Sequence, residues 1–114
     1  MMTALAVLLV VHGLIHLLGF AKAFGLADLD ALRQPIAPAA GVLWLCAAVL
    51  FIATAYALFA WPRVWWMVGA AALVVSVVAI LPSWSDAKFG LVPNLIVAVA
   101  VLAASIGRSV PATC

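Results

Sequence analysis

The sequence predicts an all-α fold, an integral membrane bundle of four transmembrane helices, and three observations carry that prediction. Hydrophobic residues make up 71% of the 114 positions and charged residues only 7%, whereas a soluble domain carries about 25% charged residues. A soluble chain this apolar would lack the polar side chains to cover its surface, and lipid removes that requirement. Four apolar runs stand out, at about residues 3–24, 41–60, 64–81 and 89–106. Tryptophans gather where the runs meet: Trp61, Trp65 and Trp66 at one turn, Trp84 with Phe89 at another. Indole rings favour the headgroup layer, so the two groups mark the two membrane faces. The whole chain, 1–114, reads as one transmembrane domain with no soluble domain attached.

Each element has a local cause. At 1.5 Å per residue the first three runs extend ~27–33 Å, enough for a ~30 Å hydrocarbon core. The fourth is roughly 24 Å from Leu91 to Ile106, and longer if Phe89 and Gly90 join it. Thr3 can cap the first helix by accepting a backbone N–H bond. Gly25 can end it in the left-handed conformation. Pro35 and Pro38 favour an extended link. Trp61-Pro62 separates the second run from the third, and Pro82 ends the third. Pro93 falls in the first turn of the fourth, where a missing N–H does little harm. Ala21-Lys22-Ala23 imitates a signal-peptidase site. No positive side chain precedes the run, however, which is longer than a ~7–15-residue signal core and contains two histidines. It is therefore read as a retained helix.

An even number of spans puts both termini on one face, with the 25–40 and 82–90 loops on the other. Lys22, Arg33 and Lys88 lie on the loop side, Arg63 and Arg108 on the terminal side. The positive-inside rule is close to balanced here; the reading adopted is a multi-pass protein of the cell inner (plasma) membrane with cytoplasmic termini. The net charge of +2 comes from five scattered basic residues and offers no patch for nucleic acid. The expected partners are the lipid bilayer and either a second copy of the chain or a larger membrane complex. Cys46 and Cys114 have no CxxC or Cys/His metal spacing, and their places on opposite halves of the bundle argue against a bond within one chain.

Small residues that permit close helix approach mark the packing faces. Gly69, Ala72, Ser76 and Ala79 share a face of the third helix, and Gly41, Ala48 and Ala55 recur at heptad spacing on the second. The fourth helix has Ala98, Ala100, Ala104 and Ser105. These stripes are read first as packing within one chain and second as a homodimer face.

The polar residues within the spans supply the candidate site. His12 and His16 are four apart and share a face of the first helix, which Gly19 and Ala23 continue. Histidine in hydrocarbon is costly and is a functional-site candidate by default. Counted from the terminal side, His12 lies near ~13 Å, His16 near ~19 Å and Ser76 near ~18 Å. Asn94 comes out only ~5 Å inside the loop-side end of the fourth helix, with Asp86 and Lys88 at the mouth just beyond. The candidate ligand-binding set is thus His12, His16, Asn94, Ser76, Asp86 and Lys88.

Three readings of the histidines stand side by side. Each imidazole is an interhelical hydrogen-bond partner, worth roughly 0.6–2 kcal/mol. Alternatively, His12, His16 and Asn94 line a polar cavity that binds a small molecule or relays protons, a task suited to a side chain titrating near ~6.5. Or they hold a metal or haem. An HExxH-like spacing is present, but the glutamate is absent and no third histidine exists. Two residues on one helix face cannot supply both axial ligands of one haem, although a symmetric dimer could. The chain contains no glutamate, GxSxG or P-loop pattern, so no reaction and no catalytic residue follow from the sequence.

The stretches HGLIHLLGFAKAFG (His12 to Gly25), GVLWL (Gly41 to Leu45) and WSDAKFGLVPN (Trp84 to Asn94) resemble a family of uncharacterised bacterial four-helix membrane proteins. The resemblance runs over about residues 3 to 106 and implies that the His12–Lys22 and Trp84–Asn94 motifs belong to one site. The Gly19 to Lys22 spacing and the layout also resemble DoxX-like four-helix proteins, a likeness of fold. The resulting expectation is a non-enzymatic ligand-binding module or an accessory subunit of a membrane assembly. The alternative is a redox or proton-handling protein using a quinone-like or haem cofactor near His12 and His16. A transporter is a third option, and would need an oligomer to line a path.

Overall fold

A computed structural model of the protein describes residues 2–26 and 35–109. Helices α1 (Met2–Ala23), α2 (Pro38–Ala60) and α3 (Trp65–Ile80) are followed by the single turn α4 (Trp84–Ala87) and by α5 (Leu91–Ser109). Two 3-10 segments, Leu81–Ser83 and Lys88–Gly90, flank α4, and the described residues contain no strand. Four stretches are long and apolar enough to cross a membrane: Met2–Ala23, Pro38–Ala60, Trp65–Ser83 and Lys88–Gly107. The fold is an all-α four-helix bundle. The start of α1 and the far end of α5 lie together, since Met2 and Leu5 share a groove with Val99 and Ala103.

The helix ends follow local chemistry, with two departures from the sequence reading. Gly25, at φ +69°, is the one positive-φ glycine. Around it the Gly25 N–H reaches the Lys22 carbonyl at 3.1 Å and the Leu26 N–H reaches the Ala21 carbonyl at 2.8 Å. This pair of bonds closes α1 as a Schellman cap. Thr3 does not cap α1, because the helix already runs from Met2. Pro38 is not part of an extended link. It opens α2 three residues before Gly41, at a position where its fixed φ suits a helix and its missing N–H is not needed.

Consecutive helices pack in order: α1 along α2, α2 along α3, α3 against α5, with α1 and α5 meeting only sparsely. The buried face of α1 is Leu9, His12, Gly13, His16 and Gly19. A Cβ at Gly19 would overlap the Trp44 indole, and one at Gly13 would stand 3.1 Å from the Ala48 carbonyl oxygen. These glycines set the α1–α2 approach. On α3, Gly69, Ala72, Ser76 and Ala79 are all buried, as are Gly41, Ala48 and Ala55 on α2.

The inward face of α5 differs from the expected stripe of small residues. Asn94, Val97 and Val101 are buried, while Ala98, Ala100, Ala104 and Ser105 are only half-buried. Close approach is provided from the other side: a Cβ on Gly69 would come within 2.9 Å of Val101 Cγ2. Trp65 also departs from the headgroup expectation, turning inward to join the core with Ala57 and Leu58, while Trp61 stays exposed. Cys46 is an exposed free thiol; Cys114, Asp28, Asp30 and Arg33 lie outside the described residues.

Candidate functional site

The polar side chains of three helices meet in one hydrogen-bonded cluster. His12 and His16 of α1, Ser76 of α3 and Asn94 of α5 are all buried. Phe51 of α2, itself fully buried, packs against both imidazoles at ring-centroid distances of 4.7 and 5.3 Å. The Trp44 ring lies 5.1 Å from that of His16, and the two imidazoles meet edge-on at 4.6 Å.

The donors and acceptors can be traced from one fixed point. The His12 carbonyl can only accept, so the His16 Nδ1, 3.0 Å away, carries the hydrogen. In the neutral ring His16 Nε2 is then an acceptor, and the Ser76 hydroxyl donates to it at 2.8 Å. Ser76 Oγ in turn accepts from Asn94 Nδ2 at 2.9 Å. Asn94 Oδ1, left to accept, takes the hydrogen of His12 Nε2 at 2.7 Å. The result is a loop of bonds through α1, α3 and α5. Asn94 Oδ1 also lies 3.2 Å from Ser76 Oγ and offers that hydroxyl a second acceptor. Among the described buried side-chain nitrogens and oxygens, His12 Nδ1 and Trp44 Nε1 have no partner.

The position of Asn94 corrects the depth read from the sequence. Asn94 bonds the deeper histidine, His12, and not His16. The 81–90 segment is compact and not an open loop: α4 lies between two 3-10 turns, and Gly90 sits beside Ile80 and His12. Such backbone is tolerated at depth where it is helical or packed against protein. This path brings Asn94, in the first turn of α5, level with His12.

A cavity of about 410 Å3 adjoins the cluster, between α1 and the segment leading into α5. His12, His16 and Trp44 form its polar side, and Ile15, Leu18, Ile80, Ala87, Phe89, Gly90 and Pro93 the remainder. Ile15, Leu18 and Phe89 are the exposed members of this lining. Lys88 is exposed outside this lining, its Nζ 5.5 Å from the Phe89 ring centroid. Asp86 belongs to α4, with its side chain outside the described residues. A larger groove of about 660 Å3 runs between α1 and α5 near the termini, lined by residues such as Leu5, Leu8 and Val99 with no ionisable side chain.

Trp44, Phe51 and Gly90 were not singled out as site residues by the sequence. One signal was available for Trp44, which lies more than a turn inside α2, deeper than a headgroup tryptophan belongs. The donor set does not fit a haem bound by two histidines of one chain, because His16 uses both ring nitrogens and His12 uses Nε2. No group of three His, Cys, Asp or Glu among the described residues could hold a metal ion. Searches against protein-family models, curated proteins and solved structures give no match for this chain.

Proposed function

We propose that this protein is a membrane-embedded binding module that takes a small, mostly apolar molecule from the bilayer into the cavity beside His12, His16 and Trp44. The carrying observation is a cavity of about 410 Å3 whose lining sets His12, His16 and Trp44 among apolar side chains. Ligand sites combine an apolar lining with a few convergent polar groups, and this cavity has that composition. Ile15, Leu18 and Phe89, the exposed part of its lining, are apolar and suit access from lipid. The module acts alone, as a second-copy assembly or as an accessory subunit of a larger membrane complex, in a plasma (inner) membrane with cytoplasmic termini. The motif likeness to uncharacterised bacterial four-helix membrane proteins accords with this role.

A second reading is proton handling. It is favoured by the two acceptors available to the Ser76 hydroxyl, His16 Nε2 and Asn94 Oδ1. Were His16 to gain a proton at Nε2, the hydroxyl could turn to Asn94 Oδ1 and the loop would stay bonded.

A native mass spectrum of protein extracted with its lipids tests the binding reading. A retained small molecule is expected on the wild-type chain and not on Gly90→Leu, since a side chain at 90 grows between Ile80 and His12. Equal retention by both, or none by either, would sink it.

A further inference from the structure

The exposed edge of the cavity carries positive charge at two places. Ile15, Leu18 and Phe89 are the exposed lining residues, and a lysine stands beside them on each side. Lys22 is four residues beyond Leu18 on α1, so the two share a helix face and Lys22 stands ~6 Å further along it. It lies in the last turn of α1 and is half-buried. Lys88 is exposed and holds its Nζ 5.5 Å from the Phe89 ring centroid, within cation–π reach of a ring that lines the cavity. Resting on the binding reading above, we infer that the ligand is a single-chain amphiphile with an anionic headgroup, a long-chain fatty acid being the simplest. Its chain lies in the cavity, and its carboxylate meets the lysines at the edge.

The separation of apolar lining from charged edge carries the argument. Ile15, Leu18, Ile80 and Pro93 give the cavity aliphatic walls, and neither lysine belongs to the lining. The volume of about 410 Å3 falls within the ~300–1,000 Å3 of small-molecule sites. If a methylene takes about the ~30 Å3 of a water molecule, that volume holds roughly 14 chain carbons, one fatty chain and not two. Lysine near the end of a spanning helix reaches for the headgroup layer. A carboxylate placed there keeps its water while its chain leaves it. An uncharged amphiphile fills the cavity but gains nothing from the two ammonium groups, and a cationic one is repelled by them. Asp86 precedes Ala87 of the lining, and its side chain lies outside the described residues; a cationic probe reads its influence directly.

Dodecanoate, dodecanol and dodecyltrimethylammonium, three probes of one chain length, test the inference on the full chain in phosphatidylcholine nanodiscs. Empty nanodiscs subtract partitioning into lipid, and the buffer is held at about pH 8.5, where the carboxyl group of the probe is ionised. Saturable binding of dodecanoate should be about fivefold tighter than that of dodecanol, the worth of an ion pair near a protein surface, with the cationic probe weakest. The gap should close in the Lys22→Gln, Lys88→Gln double variant and persist in Arg63→Gln, a change next to Pro62 of the other groove. Should the double variant fail to fold, the wild-type chain gives the same answer, because high salt should narrow the gap. Equal saturable binding of dodecanoate and dodecanol, or a gap that survives both the double variant and high salt, would overturn the headgroup assignment and leave the cavity reading standing. Tightest binding of the cationic probe would overturn it as well and give the edge to Asp86. No saturable binding of any probe would overturn both.

Discussion

His12 and Asn94 tie the first spanning helix to the last through a 2.7 Å hydrogen bond from Nε2 to Oδ1. α1 and α5 otherwise touch little, so this bond and its neighbours close a bundle whose remaining contacts run from each helix to the next.

Asn94→Leu should therefore destabilise the protein by about 1–3 kcal/mol, since it strips His12 Nε2 of its acceptor and leaves a buried polar atom unpaired. Reversible unfolding in mixed detergent measures it. A change too small to detect would mean that Asn94 is not holding α5 in place.

Ser76 and His16 should be energetically coupled. Comparing Ser76→Ala, His16→Ala and the double variant should give an interaction energy of about 0.6–1.7 kcal/mol, the range for hydrogen bonds between helices in lipid. Strict additivity of the two single changes would argue that the 2.8 Å bond contributes nothing.

Gly19→Ala should cost about 1–3 kcal/mol, because the added methyl overlaps the Trp44 indole and the α1–α2 contact must open. Gly107→Ala, where a Cβ meets nothing within 4 Å, is the matched control and should be near neutral or slightly stabilising. Thermal unfolding of the two variants side by side decides the matter, and equal behaviour would contradict the packing described for Trp44.

Tags placed before Met2 and after Ser109 should be reached by a membrane-impermeant reagent from the same side. The start of α1 and the end of α5 share one end of the bundle. Labelling from opposite sides would remove one of the four spans.

The four spans were legible because their signals are local: the length of an apolar run, a proline at a helix start, a glycine at a helix end. The inward faces of α2 and α3 were legible for a related reason, since Gly69, Ala72, Ser76 and Ala79 recur at helical spacing. The face of α5 was not, because there the small residue sits on the partner: Gly69 receives Val101. His12, His16, Ser76 and Asn94 could be named as buried candidates, because a polar group in hydrocarbon has few other options. Which of them bond was hidden in the path of residues 81–90, whose compact turns bring Asn94 level with His12. Trp44 escaped because its place at the cavity depends on Gly19, and only the crossing of α1 and α2 brings those two together.

The long-range bonds of the cluster span 82 residues between His12 and Asn94, 60 between His16 and Ser76 and 18 between Ser76 and Asn94. That spacing has a consequence for biosynthesis. At ~5–20 residues per second the ribosome needs roughly 4–16 s to add the chain that separates His12 from Asn94. The His16 Nδ1 bond lies within α1 itself and can form as that helix is made, whereas His12 Nε2 waits for its acceptor. α5 thus brings the acceptor for a histidine of α1 made 82 residues earlier, and without α5 the His12 Nε2 has lost that acceptor.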